Sequence, residues 1–517
     1  CTFQPMVFDL MASAEGAATS MAKLRRPSYG GSTSWDTRTS STGALIATAG
    51  GAPGMERKPG GGDTSRDRTG AIPRVPAPAP APAPSKVMMP PPRQPKQAAA
   101  PPPPPLPVDD AEEVDEVETY DDEFEQASPP QTRAALPAVA RGGPRPAQIE
   151  YWEYTHRGGT GNGPKENQDA YFTLKFDEHN YVFAVLDGHG GENGRVASQA
   201  ASQAMQAFLK PNFDRLRTEP EAAMRECFEK AHKAIYTAIK SQPDTFEKDM
   251  GDGKGPMLVT EVDEEDWELG YDAVDGGSTA SVAAVLDGKT LVYAAVGDSC
   301  SLFAVPGPKG EHAETKTVEL LPEHSPTNLD EWASRLHKSG IHVVYDHPEM
   351  FDDPDNLLNV FEPDKSEPSG WKMSQTSIER ADAAGCGFKT ERGDRAAMLV
   401  TPEDGPFSQM MLGVTRSLGD FYHQRYGVTW RPEVMTKPLA ELMGGAPEAL
   451  ICLASDGFWD HWAFEDAMED LCVAHAPGGT ATTRQRAHEW FENTRERGAE
   501  AFGDHADNLT SIVANIS

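Results

Sequence analysis

The sequence predicts an α+β fold: two stacked antiparallel β-sheets with a pair of helices on each outer face, preceded by a disordered N-terminal tail. Three observations carry that expectation. Apolar runs of strand length follow one another in series, helical patterns come in pairs, and the first 145 residues lack the composition of a packed core. Strands in series and helices in pairs, without regular alternation, argue against a parallel, Rossmann-type sheet.

The tail comes first in the chain. Gly, Ser, Thr and Arg dominate up to Arg74; Pro-Ala repeats occupy 76–84 and a polyproline tract 101–105, both biased to extended polyproline II. Such a stretch is most simply a semi-rigid spacer, although it could also dock an aromatic groove on a partner. An acidic block at 109–125 repels itself and stays extended. Lys23, Arg25 and Arg26 lie in a segment poor in acids, a composition compatible with organellar targeting; otherwise a cytoplasmic or nuclear location is expected.

The folded part, 146–517, is expected to begin near Ile149, where aromatic and β-branched residues set in. The continuous apolar run 182–186 reads as a buried strand. Val196, Ala200, Ala204 and Phe208 then recur at helical spacing, and Met224, Phe228, Ala231, Ile235 and Ile239 continue an apolar face after a Thr218/Glu221 capping-box pattern. Runs 278–286 and 289–296 flank Asp287-Gly288 and predict a hairpin. Further strands are expected at 301–305, 317–321 and 450–454, with a second helix pair at 462–473 and 483–497. Two stretches look like insertions. Residues 242–276 are acidic and Gly-rich; residues 346–407 are polar, interrupted by Pro and Gly, and longer than a loop in a compact domain usually is.

Composition narrows the partners. A formal charge of −33 argues against nucleic acid or an anionic membrane surface as the main partner. No apolar run approaches bilayer-spanning length, and a monomer is expected. The six cysteines lie far apart, which favours free thiols over a disulfide framework.

The chemistry is suggested by acids that end apolar runs. Asp187 follows 182–186 and is itself followed by glycines at 188, 190, 191 and 194; alone, Asp187-Gly188 would read equally well as a turn. The pattern repeats, however. Asp456 and Asp460 follow 450–454, Asp298 follows 291–296, and Asp507 precedes the last apolar run. Carboxylates so placed are costly unless paired or coordinating a cation, and without nearby His or Cys clusters they suit Mg2+ or Mn2+.

These residues carry a family resemblance. Glu166-Asn-Gln-Asp169, Asp187-Gly-His-Gly-Gly191, Gly277-Ser-Thr-Ala280, Gly297-Asp-Ser299, Thr415-Arg-Ser-Leu-Gly-Asp420, Ala454-Ser-Asp-Gly-Phe-Trp-Asp460 and Asp507-Asn508 stand in the order of the metal-dependent serine/threonine phosphatases of the protein phosphatase 2C type, over about residues 150 to 517. The resemblance implies a four-layer αββα sandwich with a metal cleft at one end, and phosphorylated protein substrates. It implies that Asp187 bridges two metals, with the Gly188 carbonyl as a further ligand of one of them; that Asp456 and Asp507 bind the other metal; and that Asp169 acts through coordinated water, while Asp298 and Asp460 match positions that hold a third, looser ion in some members. A bridging hydroxide would then attack phosphoserine or phosphothreonine, with His189 as the general acid. Taken alone, His189 beside glycines could equally make a structural hydrogen bond.

Arg416, Ser417 and Asp420 are expected to brace the cleft wall, Trp459 and Trp462 to be core or rim aromatics, and His324 to be structural. The insertion 346–407 falls where the family carries a variable flap beside the cleft. One departure concerns the phosphate grip: the arginine and glutamate that many members place before the Asp169 position are here Pro164 and Gln168, leaving Lys165, then Arg157, as candidates to bind the phosphoryl group. A scaffold that keeps the fold without turnover, and a two-metal nuclease, are the alternatives; the retained acids weigh against the first and the acidic balance against the second.

Overall fold

The computed structural model describes residues 146–159, 166–251, 253–262, 270–307, 315–346, 357–472 and 482–517. The expectations for the tail, 1–145, and for Lys165 lie outside the described residues.

Two five-stranded sheets form the centre. The first runs Glu433–Pro438, Thr290–Val296, Ala280–Leu286, Asn180–Leu186, Ala170–Asp177. The second runs Ile149–His156, Leu509–Ile516, Ala449–Ala454, Ser301–Val305, Lys316–Glu319. All the pairings are antiparallel, as expected from strands in series. Side chains alternate faces along a strand, and both faces of the central strands are used. Tyr181, Phe183 and Val185 meet Phe303, Ile451, Leu453, Ile512 and Ala514 between the sheets, whereas Val182, Ala184 and Leu186 face helices. Burial on both sides is why 182–186 reads as one continuous apolar run.

Helices Asn193–Asn212 and Pro220–Lys240 cover the first sheet; Phe464–Cys472 and Thr483–Phe502 cover the second, with Trp490 and Phe491 packed against Cys452 and Val513. The four layers are therefore helix, sheet, sheet, helix. Asp287 and Gly288 close the hairpin with φ of 54° and 59°, the left-handed pair a tight two-residue turn needs.

Two helix details differ from expectation. The buried face of the first helix is Ala197, Ala201, Met205 and Phe208, with Val196 and Ala200 only partly buried against the same core. The apolar residues span a wide stripe, and its centre is set by packing rather than by spacing. The Thr218/Glu221 capping box does not form: Glu219 is the N-cap, without a side-chain cap bond, and Pro220, with its fixed φ, opens the helix. A capping box does form at Thr482 and Gln485.

Neither insertion is plain loop. Thr245–Asp249, Pro256–Glu261 and Tyr271–Ala273 make a small antiparallel sheet whose Met257, Val259 and Ala273 pack on Phe407, Met410 and Tyr422. In the longer insertion, a hairpin (Phe361–Pro363 with Trp371–Met373), helix Gln375–Ala384 and strand Ala397–Val400 pack with Leu336, Val343 and Leu412 around a separate core. The five described cysteines are free and buried. Among the described residues no helix is long and apolar enough to cross a membrane.

Candidate metal centre

The acids singled out in the sequence converge at one end of the two sheets. Asp187 ends the strand Asn180–Leu186, Asp456 opens the helical turn after Ala449–Ala454, and Asp507 precedes Leu509–Ile516. One carboxylate oxygen from each lies within 4.8 Å of the others. Backbone bonds fix their approach. The Asp187 N–H donates to Thr279 Oγ1 at 3.0 Å, and the Thr279 N–H returns a bond to the Asp187 carbonyl at 2.9 Å. Gly158, at φ 71°, lies so close to the segment carrying Asp507 that a Cβ there would sit 1.9 Å from the Asp507 carbonyl oxygen.

Asp169 joins them from the start of the neighbouring strand. Its Oδ2 accepts from Ser455 Oγ at 3.1 Å, while Oδ1, like Asp456 Oδ1, is buried without a hydrogen-bond partner. Burial, then the charges of Asp169, Asp456 and Asp507, push the Asp187 carboxyl well above the usual carboxylate range; burial likewise raises Asp169. Crowded oxygens with unpartnered lone pairs and mutual repulsion are the donor set a hard divalent cation requires. The residues present therefore fit such an ion.

Asp298 and Asp460 border this group, and a lysine that the sequence did not single out reaches them. Lys389 Nζ lies 2.6 Å from Asp298 Oδ2 and 3.0 Å from Asp456 Oδ2. Burial disfavours its charge, but Asp298, Asp456 and Asp460 overcome that and hold its pKa well above the ordinary lysine value. Burial works to raise Asp456, yet Lys389 draws it below the ordinary value. Asp460, by contrast, is raised well above it by burial.

His189 stands beside the acids on a short three-stranded ribbon in which Gly188–His189 pairs with Gly277–Ser278, and that with Leu418–Gly419. The ribbon brings His189 Nε2 to 2.8 Å from Asp420 Oδ2, which also accepts from Ser417 Oγ. Burial opposes protonation of His189, but Asp420 reverses the balance and raises its pKa; Asp420 is lowered in turn, the imidazole outweighing burial. Only glycine fits at 277, since a Cβ would lie 2.1 Å from Asp420 Oδ2.

The expected bracing role of Arg416 is visible in its bonds to Glu331, at 2.6 Å at the shortest, and to Glu433 at 2.8 Å. His324, Glu331 and Glu433 also cluster closely enough to hold an ion, but Arg335 and Arg416 already supply the counter-charge to Glu331. The His324 carbonyl accepts from Thr415, and burial drives its ring down to about 3, the behaviour of a neutral structural histidine. Trp459 and Trp462 are buried in the helix-facing core of the second sheet. At the expected phosphate grip, Gln168 is tied into the fold: its N–H donates to Asn508 Oδ1 at 2.8 Å and its side-chain amide donates to the Gly191 carbonyl. The Arg157 carbonyl accepts from Asn508 Nδ2 at 2.7 Å, so its backbone runs beside the Asp507 segment.

Two stacked antiparallel sheets with acids gathered at one end define the architecture, and comparison with known proteins shows what it is similar to. Residues 163–316 and 396–475 each match the family described as protein phosphatase 2C. Over those residues the chain is similar to protein phosphatase 2C proteins. It is 29% identical over 210 residues to a putative protein phosphatase 2C 50 of Arabidopsis thaliana, covering 38% of this chain and 40% of that one. It is 27% identical over 181 residues to the mitochondrial protein phosphatase 1K of Xenopus laevis, covering 35% and 38%. The chain thus spans about two fifths of the length of the curated relatives it matches. The crystal structure of a serine-threonine phosphatase 2C from Toxoplasma gondii aligns with 72% of this chain and 96% of that one, at 16% identity and a TM-score of 0.42.

Proposed function

We propose that this chain is a metal-dependent protein serine/threonine phosphatase that hydrolyses phosphoserine and phosphothreonine in other proteins. The observation that carries the reading is the meeting of Asp187, Asp456 and Asp507, from three distant segments, with their oxygens within 4.8 Å. Asp169, with its unpartnered Oδ1, completes the set that would hold two divalent cations, Mg2+ or Mn2+. Bound there, the cations would supply Lewis acidity toward phosphoryl oxygens and a water acidified toward neutral pH.

The chain's own residues do the rest. Asp187, Asp456 and Asp507 would hold the cations, and the Gly188 carbonyl would offer a further oxygen. His189, held at Nε2 by Asp420, gives a proton from the opposite ring nitrogen to the departing serine or threonine oxygen. Binding of the phosphoryl group falls to Lys165 or Arg157; the position of the Arg157 backbone beside Asp507 and Asn508 supports the second.

One observation favours a second reading, a pseudophosphatase or scaffold: Lys389 already pairs with Asp456. Turnover of a phosphothreonine peptide by the full chain with Mn2+, measured beside a generic phosphate monoester and a phosphodiester, separates the readings. Preference for the peptide supports the phosphatase, preference for the diester a nuclease, and no turnover of any substrate the scaffold.

A further inference from the structure

Lys389 does not reach the acids as a loose surface side chain. Its segment is held in place on either side of the lysine. The Lys389 N–H donates to the Asp394 carbonyl at 2.7 Å, and Phe388 bridges to Arg395. Past the lysine, the Glu391 N–H donates to the Asp460 carbonyl at 3.2 Å. Arg392 grips both oxygens of Glu323 at 2.9 Å, with its guanidinium 4.0 Å over the Phe464 ring. The backbone that carries the lysine is thus bonded to the backbone of an acid in the same cluster, and the ammonium has one oxygen of Asp298 and one of Asp456 as partners.

We propose that the Lys389 ammonium is a tethered cation: it takes the position beside Asp298, Asp456 and Asp460 that would otherwise accept an additional divalent ion. The inference rests on the metal reading of the Asp187, Asp456 and Asp507 cluster. A lysine and a hydrated divalent ion compete for the same oxygens, and an ammonium at 2.6 and 3.0 Å from two of them leaves no room for an ion coordinating both. Asp456 is shared: Oδ2 faces the lysine, while Oδ1 has no hydrogen-bond partner and remains for the Asp187 and Asp507 side. The insertion that carries Lys389 would then supply charge to the centre as well as packing beside it. It would fix how many metal ions the protein takes, and it makes Lys389 a positioning residue through Asp456.

The test is Mn2+ binding to the full chain by equilibrium dialysis with metal analysis, on the unmodified protein and on Lys389→Ala, Lys389→Arg and the double variant Lys389→Ala with Asp298→Asn. Melting temperatures check that each variant is folded. Lys389→Ala should bind one further Mn2+ per chain; Lys389→Arg, which keeps the charge, should not; and loss of Asp298 should remove the added ion. The same stoichiometry and affinity in Lys389→Ala as in the unmodified chain overturns the inference while leaving the metal reading intact. An unmodified chain that binds no Mn2+ overturns both.

Discussion

Asp187, Asp456 and Asp507 differ from ordinary acids in that their nearest charged neighbours include one another. Changing any one to Asn keeps its size and removes charge that would offset a cation's lost hydration. Each variant should lose phosphopeptide turnover by about a hundredfold or more while its circular dichroism and melting temperature stay near those of the unmodified chain; a variant that unfolds instead would make the acid structural. Asp420 predicts a different signature, because its carboxylate contacts His189, the proposed general acid. Asp420→Asn should lower kcat by about tenfold to a hundredfold and leave KM nearly unchanged, whereas a rise in KM alone would place Asp420 in substrate binding. At this scale the strand-end acids were legible because each interrupts an apolar run. Lys389 was not, since nothing around Gly387-Phe-Lys-Thr390 marks it, and the His189 to Asp420 contact joins positions 231 residues apart.

The elements behaved according to how local their signals were. The hairpin at Asp287-Gly288 was readable in full because two residues determine its turn, while the long insertion was not: its core is assembled from pieces of three to ten residues that bury little until they meet Leu336, Val343 and Leu412. The element most open to a pH test is the clasp in which helix Leu329–Ser334 presents Glu331 to Arg335 and Arg416. Burial alone would raise Glu331, but the two guanidiniums hold it down to about 2 against an ordinary 4.5. The folded-state pKa is depressed, so the clasp's contribution, on the order of 3 kcal/mol from the size of that shift, is complete above about pH 4.5 and lost as pH falls toward 2. Glu331→Gln should therefore melt several degrees lower than the unmodified chain at pH 7, with the gap narrowing as pH falls below 4.5. A gap constant across that range would show that the arginines contribute no charge stabilisation there.

For the molecule as a whole, 1–140 lies outside the described residues, and its composition predicts that it is dispensable for chemistry. A chain starting near Arg141 should match the full one in melting temperature and in turnover of a short phosphopeptide; a large loss of either would show that the tail docks on the sandwich. The phosphate grip is a second whole-molecule question, because it draws on a segment the sequence leaves without the family's arginine. Lys165→Ala or Arg157→Ala should raise KM more than it lowers kcat, as expected of a contact to a dianion present in both ground and transition states. No effect from either would leave the phosphate to the metal centre alone. Whether the acids hold cations that turnover requires is tested most directly by phosphothreonine-peptide hydrolysis followed across a Mn2+ titration of the full chain and of Asp456→Asn. Metal dependence at these acids predicts no turnover in excess chelator, restoration of the unmodified chain by Mn2+, and little restoration of the variant at the same concentrations. Undiminished hydrolysis by either protein in excess chelator would contradict it.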